Sequence, residues 1–265
     1  MARRTRDATM DLRLKGKRAI VTGASRGIGR AIAETLANEG VHVAICARGQ
    51  GGVDEVVAGL AHKGVTAFGA AVDIGDGPAL KSWVTGAATR LGGLDILVSN
   101  ASALTRGAGE ADWKQMYDVD LMGAVRALEA ARPFLEAAGA EHGDASFTMI
   151  SSVSAAEASA PSAYGAMKAA LIHFAKGVAR EGASRHLRCN VVSPGTIYFK
   201  GGVWGNTEEQ APDFFKTMIA RNPTGRMGAP EEIAAATVFL ASPLSAFTTG
   251  INMVVDGGIT QRANF

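Results

Sequence analysis

The chain has 265 residues, enough for one large α/β domain, and its 47% apolar and 20% charged residues give a globular composition that excludes a disordered chain. A net charge of +2 carries no electrostatic footprint of a nucleic-acid or anionic-membrane partner. The two cysteines, Cys46 and Cys189, form no CxxC or Cys/His cluster, which argues against a metal site and points to a reducing compartment.

The basic start, Arg3-Arg4-Thr5-Arg6, is followed by no apolar stretch, because Asp7, Asp11, Arg13, Lys15 and Lys17 interrupt it. Residues 1–14 are therefore expected to form a mobile arm rather than an export signal. No run is long and apolar enough to span a bilayer, so the expected setting is cytoplasmic.

From there, short apolar runs of β character alternate with segments of helical period. Strands are expected at Arg18–Thr22, Val41–Cys46, Val65–Val72, Leu94–Ser99, Ser146–Ser151, Arg188–Ser193 and Asn252–Val255. Helices are expected at Ile28–Asn38, Gly77–Leu91, Asp112–Ala137, Ser162–Gly182 and Pro230–Ala241. Alternation of this kind requires right-handed βαβ crossovers. Continuous apolar strands such as Ile96-Leu97-Val98 require burial on both faces. The expected fold is one α/β domain over residues 15–265, a doubly wound, seven-stranded parallel sheet with helices on both faces. In such sheets ligands bind beyond the carboxyl ends of the strands.

The first strand runs into Thr22-Gly23-Ala24-Ser25-Arg26-Gly27-Ile28-Gly29, and a helical segment follows at once. Gly23 permits a tight turn, Gly27 lets the backbone approach a pyrophosphate, and Gly29 lets the helix lie against the sheet. The helix start then offers free N–H groups and a positive dipole end to phosphates. The spacing is GxxxGxG rather than the common GxGxxG fingerprint. Farther along, Tyr164 and Lys168 stand one helical turn apart on one helix face. A phenol titrating near ~10 is a poor acid or base at neutral pH, and a neighbouring ammonium favours its phenolate form. Such a pair can donate a proton to a carbonyl oxygen or take one from an alcohol. The same spacing also occurs by chance on solvated helix faces, so it needs the motifs around it.

Together these segments resemble the classical short-chain dehydrogenase/reductase family over nearly the whole chain from about Gly16. Thr22–Gly29 matches its TGxxxGxG motif. Asn100-Ala101, Ser152, Tyr164-Gly-Ala-Met-Lys168, Pro194-Gly195 and Asp256-Gly257-Gly258 follow in family order. Within the family the chain looks most like the 3-oxoacyl-carrier-protein reductases and related carbonyl reductases. The resemblance implies a Rossmann fold, an oxidoreductase moving a hydride between a nicotinamide and a carbonyl or secondary alcohol, and a homotetramer.

It also implies roles. Tyr164 is the acid/base, Lys168 supports it and holds the nicotinamide ribose, and Ser152 rather than Ser151 binds the substrate oxygen. Gly23, Ser25, Arg26, Gly27, Ile28 and Gly29 cradle the phosphates. Asp73 and Ile74 face the adenine, although Asp73 also suits a turn or cap. Asn100 lies beside the cofactor, and Pro194, Gly195 and Ile197 meet the nicotinamide. The second strand is followed by Ala47-Arg48, where an NAD enzyme carries a carboxylate for the ribose hydroxyls. With Arg26, Arg48 suits a 2′-phosphate, so NADP(H) is expected over NAD(H); as a solvated loop residue Arg48 would say nothing.

Four positions depart from the family pattern. Ser99 replaces an asparagine, Ser102 replaces a glycine, Phe199 stands where a threonine is common, and Asp120 replaces a catalytic asparagine that supports a water leading from the lysine to solvent. An ionised Asp120 beside Lys168 is expected to shift the pH profile. Residues 198–228 match the family's substrate lid and carry Phe199, Trp204, Phe214, Phe215, Met218 and Ile219. They suit a lipophilic ketone or 3-oxoacyl thioester, or equally packing on the domain or another subunit. Arg106, Lys200, Lys216, Arg221 and Arg226 are the candidate anion contacts, and Phe265 a candidate interface residue. A regulatory, redox-sensing binding protein on the same fold is the alternative; it predicts a damaged catalytic set, whereas Ser152, Tyr164 and Lys168 all stand.

Overall fold

The computed structural model describes residues 10–105, 107–158 and 160–263. Seven strands form one parallel sheet in the order β3-β2-β1-β4-β5-β6-β7. They are β1 (Arg18–Thr22), β2 (His42–Ala47), β3 (Ala67–Ala71), β4 (Ile96–Ser99), β5 (Ala145–Ile150), β6 (Leu187–Pro194) and β7 (Asn252–Val255). The helices are α1 (Gly27–Asn38), α2 (Gln50–Ala61), α3 (Gly77–Leu91), α4 (Glu110–Met116), α5 (Met122–His142), α6 (Ala163–Gly182), α7 (Val203–Gln210), α8 (Pro212–Ala220) and α9 (Pro230–Ala241).

Alternate strand residues face opposite sides, so the sheet divides the apolar interior in two. Ile20, Leu97 and Phe147 pack with Leu80, Leu128 and Leu171 of α3, α5 and α6. Val21, Ile45 and Val98 pack with Ile32, Val53 and Ile233 of α1, α2 and α9. Helix ends follow local chemistry. Asp76 caps α3 by accepting from the Ala79 amide at 3.0 Å, and Gly92 ends that helix in the left-handed region. Ser162 caps α6 by accepting from the Gly165 amide at 3.1 Å.

The structure corrects several expectations. The helix expected over Asp112–Ala137 is two helices joined by a π-helical turn at Tyr117–Leu121. Helix α2 and the lid helices α7 and α8 were not among the expected elements. Residues 1–9, Arg106 and Phe265 lie outside the described residues. Of the arm expected over 1–14, Leu14 is buried and Leu12 packs on the domain, its carbonyl accepting from Ser242 Oγ at 2.7 Å. Leucine side chains prefer that burial to water, so the packed chain begins before residue 15. Cys46 lies in β2 and Cys189 in β6, with three strands between them, and both thiols are free and buried.

Charges at the amino edge of the sheet are paired. Arg188 donates to Asp144 at 2.6 and 3.1 Å, to the Leu240 carbonyl at 2.6 Å and to Ser245 Oγ at 3.0 Å. Asp95 accepts from the Arg18 amide at 2.9 Å and Arg18 Nε at 2.7 Å, with Lys17 Nζ at 3.7 Å. Burial by itself would push the Asp95 carboxyl up, but the Arg18 hydrogen bonds and the two cations outweigh it and hold it below the usual carboxylate range. A carboxylate depressed on folding contributes stability that is fully present above its unfolded value near ~3.9 and is lost as pH falls through the lower, folded value. Asp95→Asn is therefore expected to lower stability at neutral pH and to flatten the acid limb of stability against pH, read by denaturant unfolding across pH 2–6, a range of about that carboxylate titration.

Candidate active site

The strand order reverses between β1 and β4, and a cleft of ≈ 1790 Å³ opens at the carboxyl edge there. A single small-ligand pocket runs to about 300–1,000 Å³, so the space suits a large ligand with a second molecule beside it. The ends of six strands line it: Gly23 after β1, Ala47 and Arg48 at β2, Asp73 and Ile74 after β3, Asn100 after β4, Ser152 after β5, and Pro194, Gly195 and Ile197 at β6. Ser25, Arg26, Ile28, Gly29, Tyr164 and Lys168 complete the lining from the expected set. Gly27 opens α1 beside them, and Asp120 lies behind Lys168.

The glycine loop is held from below. Gly23 and Ala24 amides donate to the Cys46 carbonyl at 2.8 and 3.2 Å. Asn100 Nδ2 donates to the Thr22 and Gly23 carbonyls at 3.2 and 2.9 Å. Gly23 has φ +67°, and a Cβ there would stand 2.7 Å from Ala101 Cα. At Gly29 a Cβ would run into the Gly23 carbonyl and Asn100 Nδ2. Arg26, the residue before α1, gives no side-chain cap, so no capping side chain satisfies the free N–H groups at the start of that helix. This is the chemistry a pyrophosphate needs.

At the β2 end of the cleft, Ala47 leaves no carboxylate at the strand terminus, and Arg48 is exposed with no partner among the described residues. Arg26 donates to the Gly201 carbonyl at 3.0 Å. Asp73 accepts from the Gly75 amide at 2.9 Å, so it forms a turn, and Ile74 packs against Gly123. Thr196 was missed by the sequence reading. Its hydroxyl is buried, has no partner and belongs to a residue lining the cleft. Its only sequence signal was its place after Pro194-Gly195. These residues fit a nicotinamide dinucleotide.

On the opposite wall, Lys168 Nζ is buried, 5.6 Å from the Tyr164 ring centroid. It donates to the Ile150 carbonyl at 2.9 Å and stands 3.0 Å from Asp120 Oδ1, off the direction of a hydrogen bond. Asp120 Oδ2 accepts from the Ala103 amide at 2.9 Å. The π-helical turn brings Asp120 to this buried position, and such single-turn bulges are frequent at functional sites. The two neighbouring serines differ. Ser151 Oγ donates to the Lys168 carbonyl at 2.8 Å and is used up in packing α6 on β5. Ser152 Oγ accepts from the Ser154 amide at 3.1 Å, which leaves its proton free for a ligand. Ser102, another departure from the family pattern, accepts from the Leu104 amide at 3.2 Å and forms a local turn.

Residues 199–227 leave and return through a bridge between Ile197 and Gly228, closed by Tyr198 N to the Gly228 carbonyl at 2.8 Å. On this excursion Phe199, Trp204, Phe214, Met218 and Arg221 line the cleft, and Trp204 stacks on Phe214 at 6.3 Å. Phe215 instead packs on Tyr198 at 5.8 Å. Lys200, Lys216 and Arg226 do not reach the cleft, and Arg226 pairs with Glu232.

A family model described as enoyl-(acyl carrier protein) reductase matches residues 23–260. Isoepoxydon dehydrogenase of Penicillium expansum is 35% identical over 95% of the chain and 98% of its own length. The 3-oxoacyl-[acyl-carrier-protein] reductase of Staphylococcus aureus is 33% identical over 92% of the chain and 98% of its own. The crystal structure of L-sorbose reductase from Gluconobacter frateurii, complexed with NADPH and L-sorbose, superposes with a TM-score of 0.87 at 30% identity, over 96% of this chain and all of that one.

The glycine geometry makes a contrast that stability measurements can read. Gly29→Ala is expected to cost about 1–3 kcal/mol, since both atoms it meets are fixed. Gly51→Ala, in α2 with nothing within 4 Å of the added carbon, is expected to leave stability unchanged or raise it slightly. Denaturant midpoints of both variants check this.

Proposed function

The chain belongs to the short-chain dehydrogenase/reductase family, enzymes acting on CH–OH and C=O groups, and from that premise we propose an NADP(H)-dependent carbonyl reductase or alcohol dehydrogenase with Tyr164 as acid/base. The observation that carries the proposal is the Tyr164 ring at the cleft with the buried Lys168 ammonium beside it. The bound nicotinamide supplies the hydride for reduction or accepts it in oxidation. Tyr164 donates its hydroxyl proton to the carbonyl oxygen in reduction and takes it back in oxidation. The free Ser152 proton holds that oxygen and offsets its developing charge. Lys168 supplies positive charge behind the phenol, and Asp120 partly neutralises it.

NADP(H) over NAD(H) is supported by Ala47, by the unpartnered Arg48 and by Arg26 nearby. NADPH in the sorbose reductase complex agrees with this preference. The aromatic lid supports a lipophilic ketone or a 3-oxoacyl thioester as substrate, with Arg221 as the cation for any acidic group on it. Phe239, Leu244, Phe247 and Ile251 lie exposed near edge strand β7, and further copies of the chain in a homotetramer would cover them. A cytoplasmic setting accords with two free thiols. No helix among the described residues is long and apolar enough to cross a membrane.

Two experiments test the reading. NADPH and NADH oxidation is measured over a panel of 3-oxoacyl thioesters, aromatic ketones, quinones and small aldehydes. NADPH-selective turnover that Tyr164→Phe lowers by about 10²-fold or more is expected, the scale of a lost general acid. Tight NADPH binding with no turnover across the panel counts against it. Asp120→Asn leaves Lys168 with its full charge, so alcohol oxidation is expected to persist with its pH profile moved toward lower pH. A rate and pH profile identical to the parent enzyme would remove Asp120 from the mechanism.

A further inference from the structure

The phosphate-binding loop is occupied by the chain's own lid. A Cβ added at Gly27 would stand 2.5 Å from Phe199 Cζ and 2.7 Å from its Cε1. A Cβ added at Gly202 would stand 2.6 and 2.7 Å from the same two atoms. The edge of the Phe199 ring is therefore wedged between the first residue of α1 and the turn that opens α7. That turn is closed by the Gly202 amide on the Phe199 carbonyl at 3.0 Å. A second contact lies beside the first, where Arg26 donates to the Gly201 carbonyl at 3.0 Å.

Both loop residues have the wrong partners for a dinucleotide enzyme at rest. Gly27 opens a helix whose start no side chain caps, the place for an anion, and an apolar ring covers it. Arg26 is the loop's guanidinium, and a lid carbonyl holds it. A pyrophosphate at the start of α1 and the Phe199 ring on Gly27 cannot share that volume.

We propose that Phe199 sets the affinity for the dinucleotide by latching the lid onto the phosphate loop. Binding then requires the ring to leave Gly27, and Arg26 to exchange the Gly201 carbonyl for the ligand. The inference rests on the dinucleotide reading of the cleft. The latch lowers apparent affinity by the fraction of molecules it holds closed; if about nine in ten are latched, removing it tightens binding about tenfold.

The test is NADPH binding to the full chain, by titration calorimetry and by stopped-flow nicotinamide fluorescence. Two variants release the latch by different chemistry. Phe199→Ala removes the ring. Gly202→Ala keeps it but places a methyl where the ring now sits, at a backbone φ of −83° that alanine accepts. Expected in both is a lower Kd and a faster association rate, about tenfold for a mostly latched parent, with melting temperatures showing both remain folded. Binding that is equal to or weaker than the parent's in a folded variant overturns the latch. Binding by the variants alone supports it. No NADPH or NADH binding by parent or variants overturns both the latch and the dinucleotide reading, whereas normal binding unaffected by the variants overturns the latch only.

Discussion

A lysine ammonium taken out of water has to be met by oxygen, and much of one wall of the cleft follows from that requirement. Lys168 Nζ reaches the last carbonyl of β5 and faces Asp120, while Ser151 fastens the Lys168 carbonyl to the same strand end. Asp120 in turn takes the Ala103 amide, which fixes the loop after β4. One buried charge thus ties α6, β5, the π-helical turn and the β4 loop together. Tyr164, a turn earlier on α6, is positioned as a consequence.

Much of this was legible in the sequence because it depends on local order. Parallel strands deliver their ends to one edge, so motifs after successive strands had to meet there. Gly23 and Gly29 could be placed on that ground, whereas Asn100 and the choice of Ser152 over Ser151 came from the family resemblance. What could not be read was non-local. The π-helical turn has no residue signature, since nothing in Tyr117–Leu121 breaks an α-helix, yet it sets Asp120 against Lys168. Leu12 and Leu14 looked like part of an arm because charges flank them, yet the domain offers both a place to pack. Phe199 was visible as a departure from threonine, but its position on Gly27 depends on where the lid returns.

The two edges of the sheet use charge in opposite ways. At the amino edge Arg188 and Asp95 are paired with opposite charge and close the ends of the strands. At the carboxyl edge Arg48, the Ser152 proton and the Thr196 hydroxyl have no described partner, and the start of α1 has no cap. Polar groups left open in this way cost stability, which the paired charges of the amino edge and the two apolar layers offset.

The thiols carry a practical consequence. Burial pushes the Cys46 thiol up to about 12 and Cys189 higher still, so neither offers a thiolate at neutral pH. Neither cysteine therefore offers thiol-directed oxidants or alkylating reagents a ready nucleophile while the fold is intact. A cysteine introduced on the lid would be the reactive one, which makes the chain suited to single-site fluorophore attachment without first removing its own sulfur.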